Sequence, residues 1–168
     1  VDERFPGAAK INAVLDGEQQ ENMHYGRTLA KDMEEWAADG MAGSISSNVS
    51  PVYYFNERFI SFTQQTHEYS GGAHGMPYWI PHTFDLQTGE ELGLKDFVAN
   101  DEEEFKEIVT EHFEEMYHVD PELFWDDAIN TVRENSGFEA SFYLRKDGLV
   151  IYYGPYDLAA YAAGFIEI

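Results

Sequence analysis

The sequence contains no cysteine and carries little positive charge. The absence of cysteine excludes disulfide bonds, thiolate zinc sites and a cysteine nucleophile. Ten Lys and Arg residues stand against 32 Asp and Glu residues, which gives a formal net charge of −22. Such a surface repels the phosphates of nucleic acids and the head groups of anionic lipids. We therefore expect no nucleic-acid partner, whereas a cationic partner would be attracted.

The sequence also lacks a long apolar run. Nothing in it approaches the roughly 18 apolar residues of a membrane-spanning helix, so we expect no membrane insertion of this domain. The chain begins with Val1 and not with Met, which favours a processed or partial chain whose targeting segment lies outside it. With 168 residues, 43% of them hydrophobic, we predict a single domain over residues 1–168, the exported part of a longer protein.

The first half of the chain alternates between helical and strand-like patterns. Apolar residues at helical spacing predict a helix over residues 8–38, interrupted at its glycines. Two strand-like runs, 52–55 and 58–65, predict a hairpin. A further strand is predicted over 78–86, where Pro81 indicates a sheet edge or a bulge.

The second half has two helices followed by strands. The clearest element is a helix over 101–117, and a second helix is predicted over 121–134 because Pro121 suits a first helical position. Alternating residues predict a hairpin of strands 138–144 and 149–153, with a short last strand at 165–168. This order favours an α+β fold in which an antiparallel sheet carries helices packed on one face.

A glycine-rich loop is the first candidate binding site. Its candidate residues are Tyr69, Gly71, Gly72 and His74. Glycines can bring backbone amides close to an anion, and a histidine can ligate or transfer a proton. Because Pro77 follows and no helix does, a phosphate cradle is not expected. The alternative is a tight loop whose glycines take positive φ, with His74 hydrogen-bonded to the backbone.

A zinc site is the second possibility. His67, His74 and His82 would converge if the strands that carry His67 and His82 are neighbours, and catalytic zinc accepts three imidazoles plus water. The spacings match no compact zinc motif. His112 lies on the apolar face of its helix and is expected to be a buried core histidine. The preferred interpretation has no metal and no cofactor.

A tyrosine-rich segment near the Gly154-Pro155 break is the third candidate. Tyr153, Pro155, Tyr156 and Tyr161 would form an exposed aromatic patch that anchors a protein or a sugar. The alternative is a tyrosine-rich edge of the core with satisfied hydroxyls. Serine-hydrolase and calcium-loop patterns are missing, and with 32 acidic residues carboxylate pairs arise by chance. We identify no convincing catalytic site.

Three stretches in fixed order carry a family resemblance: 69–75 (YSGGAHG), 84–97 (FDLQTGEELGLKDF) and 147–164 (DGLVIYYGPYDLAAYAAG). They resemble an uncharacterised bacterial extracytoplasmic family that is shared by RsiV-type anti-sigma factors and, as an accessory domain, by PdaC-type peptidoglycan deacetylases. The resemblance covers nearly the whole chain. It implies an exported domain of helices packed on a sheet and, in RsiV-type members, recognition of lysozyme. It supplies no catalytic residue, and Ala160 stands where the family commonly has proline.

From the residues and the resemblance together, we expect a non-catalytic binding or sensor module of the bacterial cell envelope. The protein would be extracytoplasmic, either secreted or anchored to the membrane or a lipid as a lipoprotein. Its partner would be a protein or a cell-wall glycan; a cationic protein such as a lysozyme is suggested by the charge and by the resemblance. The alternative is a metal-dependent peptidoglycan hydrolase or a deacetylase-like enzyme.

Overall fold

The fold is that of a computed structural model of the chain. It describes residues 1–38, 45–69 and 73–168, with the backbone alone for 35–38 and 45–48. Helices and antiparallel sheets make an α+β fold, as the sequence predicts. The chain forms two compact units, Val1–Glu91 (unit 1) and Leu92–Ile168 (unit 2). Organisation as a single domain stays a prediction. None of the described helices combines the length and the apolar character needed to cross a membrane.

Unit 1 consists of one long helix and a four-stranded sheet. Its elements are α1 (Ala8–Ala38), β1 (Ile45–Val49), β2 (Val52–Phe55), β3 (Phe59–Tyr69) and β4 (Met76–Asp85). The predicted interruption of α1 is wrong, because the helix runs through both of its glycines, Gly17 and Gly26. A glycine inside a helix costs about 1 kcal/mol, which lowers stability without breaking the helix.

The sheet of unit 1 is built around β3. Strand β4 pairs antiparallel with β3 along one edge, from Phe59 opposite Asp85 to Glu68 opposite Met76. Strands β2 and β1 share the other edge, β2 near the start of β3 and β1 near its end. Among the described strands, β4 pairs with β3 alone, so Pro81 lies on an edge strand as predicted.

The first turns of α1 cover one face of this sheet. Ile11, Phe62, Phe84 and Leu86 form the buried cluster between them, and Ile11, Phe84 and Leu86 have no exposed surface. Burying each such side chain contributes roughly 1.5–3 kcal/mol. This cluster fixes the position of the amino-terminal part of α1 on the sheet.

Unit 2 combines two helices with a three-stranded antiparallel sheet. Its helices and strands are α2 (Glu102–Val119), α3 (Ala128–Asn135), β5 (Phe142–Arg145), β6 (Gly148–Tyr153) and β7 (Ile166–Glu167), in the strand order β5-β6-β7. Helix α2 begins as predicted: the Asp101 carboxylate accepts a hydrogen bond from the Glu104 amide at 2.9 Å. Such a cap contributes about 1 kcal/mol.

The predicted helix over 121–134 is wrong in its first part. Pro121–Leu123 form a single 3-10 turn, and α3 begins only at Ala128. Between them, Phe124 adopts an extended backbone and forms a bridge with Ala159. Pairing with a segment 35 residues later in the chain therefore takes the place of the helical turn that local sequence favours.

Candidate functional site

Three aromatic side chains come together on the surface of unit 2. Trp125 is 42% exposed and Tyr156 is 49% exposed. The ring of Tyr156 lies 5.7 Å from the ring of Tyr161, centroid to centroid, at an interplanar angle of 40°. The indole N–H of Trp125 donates to the carbonyl oxygen of Tyr156 at 3.2 Å. We call Trp125, Tyr156 and Tyr161 the aromatic face.

Backbone pairing holds the two segments of the aromatic face together. The Trp125 amide donates to the Leu158 carbonyl oxygen at 2.9 Å, next to the bridge between Phe124 and Ala159. The indole bond to Tyr156 adds a second hydrogen bond between the same segments. Each link restricts backbone or side-chain freedom before any ligand arrives, which lowers the entropy lost on binding.

Tyr156 has an unusual backbone conformation. Its φ of 75° is the one positive value of a residue other than glycine in the described parts of the chain. For a bulky side chain this conformation costs on the order of 1 kcal/mol or more. A tight turn imposes it: the Gly154 amide donates to the Asp157 carboxylate at 2.6 Å, and the Asp157 amide donates back to the Gly154 carbonyl at 3.2 Å. The strained residue is therefore a tyrosine whose side chain is half exposed.

The other two predicted residues of this segment lie in the interior. Tyr153 is only 7% exposed, and Pro155 is buried. No described group forms a hydrogen bond with the Tyr153 hydroxyl. Burial raises the pKa of the Tyr153 hydroxyl to about 12, and the charge of Asp157 adds to the rise. The structure therefore brings Tyr156 and Tyr161 to one surface and places Tyr153 inside the fold.

Trp125 was missed by the sequence analysis because it fell inside the predicted helix 121–134. A signal was available: Asp126 and Asp127 follow it directly, and aspartate favours the position before a new helix. Asp127 is indeed the N-cap residue of α3. A second helix start at this point would have placed Trp125 in a loop.

Carboxylates accompany the aromatic face in sequence. Asp126 and Asp127 follow Trp125, and Asp157 follows Tyr156, whereas the segments 119–132 and 149–168 contain no Lys, Arg or His. The surroundings therefore offer hydrogen-bond acceptors to hydroxyl or ammonium groups and disfavour an anionic ligand.

The glycine-rich loop is described only at its flanks. Gly71 and Gly72 lie outside the described residues. Tyr69 ends β3, opposite Ile45 of β1. Nδ1 of His74 donates to the Gly75 carbonyl oxygen at 3.0 Å, the backbone bond that the loop interpretation expects.

Two histidines of the possible zinc site, His67 and His74, both lie next to Gly75, whereas His82 lies between two glutamates. His82 is 3% exposed; its Nδ1 lies 2.8 Å from Glu91 Oε1 and its Nε2 lies 3.4 Å from Glu18 Oε2. Within the described parts of the chain, no three or more His, Cys, Asp or Glu side chains form a group that could hold a metal ion. His67, His74 and His82 are therefore not brought together as one such group.

The expectation that His112 is a core residue is wrong. Its side chain is exposed, and its Nδ1 donates to the Ile108 carbonyl oxygen at 2.8 Å. The buried stripe of α2 consists of Phe105, Val109, Thr110 and Phe113, so His112 lies at the margin of that stripe.

The second of the three stretches singled out in the sequence, residues 84–97, begins with a turn. One oxygen of Asp85 accepts hydrogen bonds from the amides of Gln87 (2.7 Å) and Thr88 (3.2 Å), and the other accepts from Nε of Arg58 at 3.2 Å. Burial raises the pKa of Asp85, but these hydrogen bonds lower it further than burial raises it. Gly89 then takes a φ of 71°. Residues 85–89 of this stretch thus form the turn that follows β4.

Comparison with solved structures finds proteins that are similar to this chain in fold. A DUF3298-family protein from Bacteroides fragilis NCTC 9343 has a similar structure, with a TM-score of 0.62 and 24% identity over 89% of this chain. This chain spans 63% of that protein. A DUF3298-family protein from Pseudomonas aeruginosa PAO1 gives a TM-score of 0.56 and 19% identity, covering 84% of this chain and 70% of its own. Among curated proteins, none matches.

These likenesses show a shared fold. The sequence match is narrower than the structural one, since it begins after the strands of unit 1. Residues 95–168, which carry the whole aromatic face, match the model of the family DUF3298, a protein of unknown function.

Proposed function

We propose that this chain is a non-catalytic binding module of the bacterial cell envelope, and that its aromatic face binds a cell-wall glycan. The observation that carries the proposal is the strained backbone of Tyr156, which is held at a φ of 75° while its ring stays half exposed. Strain persists where the surrounding structure enforces it, and it clusters at binding sites.

A glycan suits the aromatic face for two physical reasons. The C–H face of a sugar ring is apolar and packs against an aromatic ring, while its hydroxyls need acceptors at the edge of the contact. Trp125 and Tyr156 supply exposed rings, and Asp126 and Asp157 supply nearby carboxylates in sequence. The tilt of 40° between Tyr156 and Tyr161 suits a ligand with several sugar units better than one flat ring.

The proposed location rests on two supports. The three motifs described above resemble an extracytoplasmic family, and the two solved structures named above come from bacteria. We propose binding or sensing because the exposed rings and carboxylates of the aromatic face can contact a ligand without reacting with it. This proposal assigns no catalytic step to the chain.

A cationic protein such as a lysozyme is the second candidate ligand, and the net charge of −22 favours it. Attraction of this kind accelerates encounter and weakens as salt screens the charges. Glycan stacking changes little with salt. Salt dependence therefore separates the two ligands at the same site.

Calorimetric titration of the chain with uncharged oligosaccharides of N-acetylglucosamine, which represent the glycan strand without its charged peptides, and, separately, with a lysozyme tests the proposal. We expect saturable glycan binding that changes little between low and moderate salt, and roughly tenfold weaker binding for Trp125→Ala. Tyr25→Ala is the matched control, because Tyr25 is 56% exposed but belongs to unit 1. Salt-sensitive binding of lysozyme alone would transfer the assignment to the second candidate.

Tyr156→Gly separates binding from folding. Glycine takes positive φ without penalty, so this variant should be as stable as the wild type or more stable by about 1 kcal/mol. It should nevertheless lose glycan binding, because the ring is gone. Undiminished binding by Tyr156→Gly and Trp125→Ala would exclude the aromatic face as the site.

A further inference from the structure

An apolar groove lies along helix α2 of unit 2, and none of the residues that line it belongs to the aromatic face. Its volume is about 480 Å³. Its walls include Phe105, Ile108, Val109 and His112 of α2, with Leu149 and Ile151 of β6. We call it the α2 groove.

The α2 groove has a closed floor and an open mouth. Phe105, Val109 and Ile151 are buried at 6%, 5% and 1% exposure, whereas Ile108 is 39% exposed and His112 is exposed. A large aliphatic side chain left this accessible beside an apolar concavity is the arrangement of a contact surface.

The helical side of the mouth is acidic. Glu104, Glu111 and Glu115 are exposed and lie three or four residues from Ile108 or His112, so they are neighbours of these two on the helix surface. The one Lys of α2, Lys106, pairs with Glu103 at 3.2 Å. An apolar floor with a carboxylate rim is complementary to a segment that has one apolar face and one basic face.

We infer that the α2 groove binds a basic amphipathic helix from a partner protein. About three apolar side chains of that helix, at helical spacing, would fill the floor, while its Lys and Arg residues pair with the rim. His112 adds a polar contact: its Nδ1 donates to the Ile108 carbonyl, so Nε2 of the neutral ring accepts a hydrogen bond from the partner.

Charge decides between the possible occupants. A second copy of this chain also carries −22 and would be repelled, and so would an anionic lipid. A neutral acyl chain would fill the apolar floor but would form no ion pairs with the glutamates of the rim. A basic amphipathic helix is the occupant that satisfies both parts of the groove.

Fluorescence anisotropy tests this inference with the full chain and a labelled synthetic peptide of leucine and lysine, about five helical turns long. Its leucines follow helical spacing. A shuffled isomer of the same composition has no apolar face. We expect saturable binding of the amphipathic peptide and at least roughly tenfold weaker binding of the isomer.

Ile108→Asp should weaken binding of the amphipathic peptide by roughly tenfold, because it places a carboxylate in the apolar mouth. Val119→Asp is the matched control: Val119 ends the same helix, is 85% exposed and gains the same charge. It should leave binding unchanged. Circular dichroism of both variants checks that α2 stays folded.

Equal binding of the shuffled isomer, or no loss with Ile108→Asp, would reduce the interaction to bulk charge and overturn the inference. Binding of the neutral detergent dodecyl maltoside without binding of the peptide would overturn it in favour of an apolar small ligand. The groove and the aromatic face share no residue, so Trp125→Ala should bind the peptide normally. Loss of glycan binding therefore leaves this test intact.

Discussion

At the residue scale, two tyrosines three residues apart, one at the end of β6 and one in the turn that follows, behave in opposite ways. Tyr153 is buried without a described hydrogen-bond partner for its hydroxyl, whereas Tyr156 is half exposed on a strained backbone. A buried hydroxyl without a partner has lost its bonds to water and gained none. The buried hydroxyl of Tyr153 and the strained backbone of Tyr156 therefore each lower the stability of the folded state.

The hydroxyl of Tyr153 makes folding stability sensitive to high pH. Because burial raises its pKa from 10.0 to about 12, the folded state holds this proton more tightly than the unfolded state does. Its contribution is complete below pH 10 and is lost as the pH rises through about 12. Tyr153→Phe removes this effect, so we expect the free energy of unfolding to fall less steeply above pH 10 than in the wild type.

Urea denaturation at pH 8, 10 and 11 measures that difference. At pH 8, Tyr153→Phe should be as stable as the wild type or more stable, since no described hydrogen bond is lost. Tyr161→Phe is the control, with a half-buried ring in the same segment. Parallel pH dependence of Tyr153→Phe and wild type would show that Tyr153 ionises alike in both states.

The residues of the aromatic face differ in how well the sequence predicted them. Tyr156 and Tyr161 were predicted as surface contacts from composition and from the Gly154-Pro155 break. Trp125 was not, because its position depends on pairing with residues 158–159, and local periodicity carries no information on that pairing. The burial of Tyr153 was equally hidden, because residues 150–153 are all buried, and this covering of both faces of β6 depends on tertiary packing that alternation does not reveal.

At the element scale, the turn after β4 is held by several interactions at once. Asp85 caps it, Gly89 turns it with a φ of 71°, and the Gly7 amide donates to the Leu86 carbonyl at 2.9 Å. Gly7 and Gly89 approach so closely that a Cβ on Gly7 would collide with the Gly89 amide nitrogen. The start of α1 is thereby held against the end of β4.

Gly89→Ala should destabilise unit 1 by about 1–3 kcal/mol. The added Cβ would lie 2.7 Å from the Gly7 carbonyl oxygen, and alanine disfavours a φ of 71°. Gly17→Ala is the control, since Gly17 lies within α1 with no neighbouring atom in reach of a Cβ, and it should stabilise by about 0.5–1 kcal/mol. Thermal unfolding followed by circular dichroism measures both. Stability unchanged in Gly89→Ala would contradict the tight approach of the two glycines.

Most elements were predictable because their signals are local. Strands β2, β3 and β6 and helix α2 follow from alternation and helical spacing, whereas the strand predicted over 138–144 begins only at Phe142. The predicted interruption of helix α1 gave glycine propensity too much weight, because a glycine weakens a 31-residue helix by only about 1 kcal/mol and does not end it. The helix predicted to begin at Pro121 begins only at Ala128, because Phe124 pairs with Ala159. Helix propensity carries no information on such long-range pairing.

At the scale of the whole molecule, the family match and both proposed contact surfaces fall in the same unit. The family match over residues 95–168 falls within unit 2, Leu92–Ile168, which also holds the aromatic face and the α2 groove. Unit 1 holds the buried His82 between two glutamates and the turn at Asp85. Both proposals therefore place their ligand on unit 2.

Charge is the other property of the whole chain. With 32 acidic and 10 basic residues, at least 22 carboxylates (32 − 10) remain without a Lys or Arg even if every pairing is one to one. Their mutual repulsion disfavours the compact state and is screened by salt, as the Debye length falls from about 30 Å at 0.01 M to about 3 Å at 1 M.

We therefore expect the melting temperature to rise by about 4 °C or more when NaCl is raised from about 0.01 M to about 0.5 M at pH 7, because screening relieves this repulsion by at least about 1–2 kcal/mol. Sucrose, which stabilises proteins without screening charge, is the control for general solvent effects. The rise should level off once the Debye length is shorter than the spacing of surface carboxylates. A melting temperature that fell with NaCl would mean that attractive pairs such as Arg145 with Glu167 outweigh the repulsion among the unpaired acids.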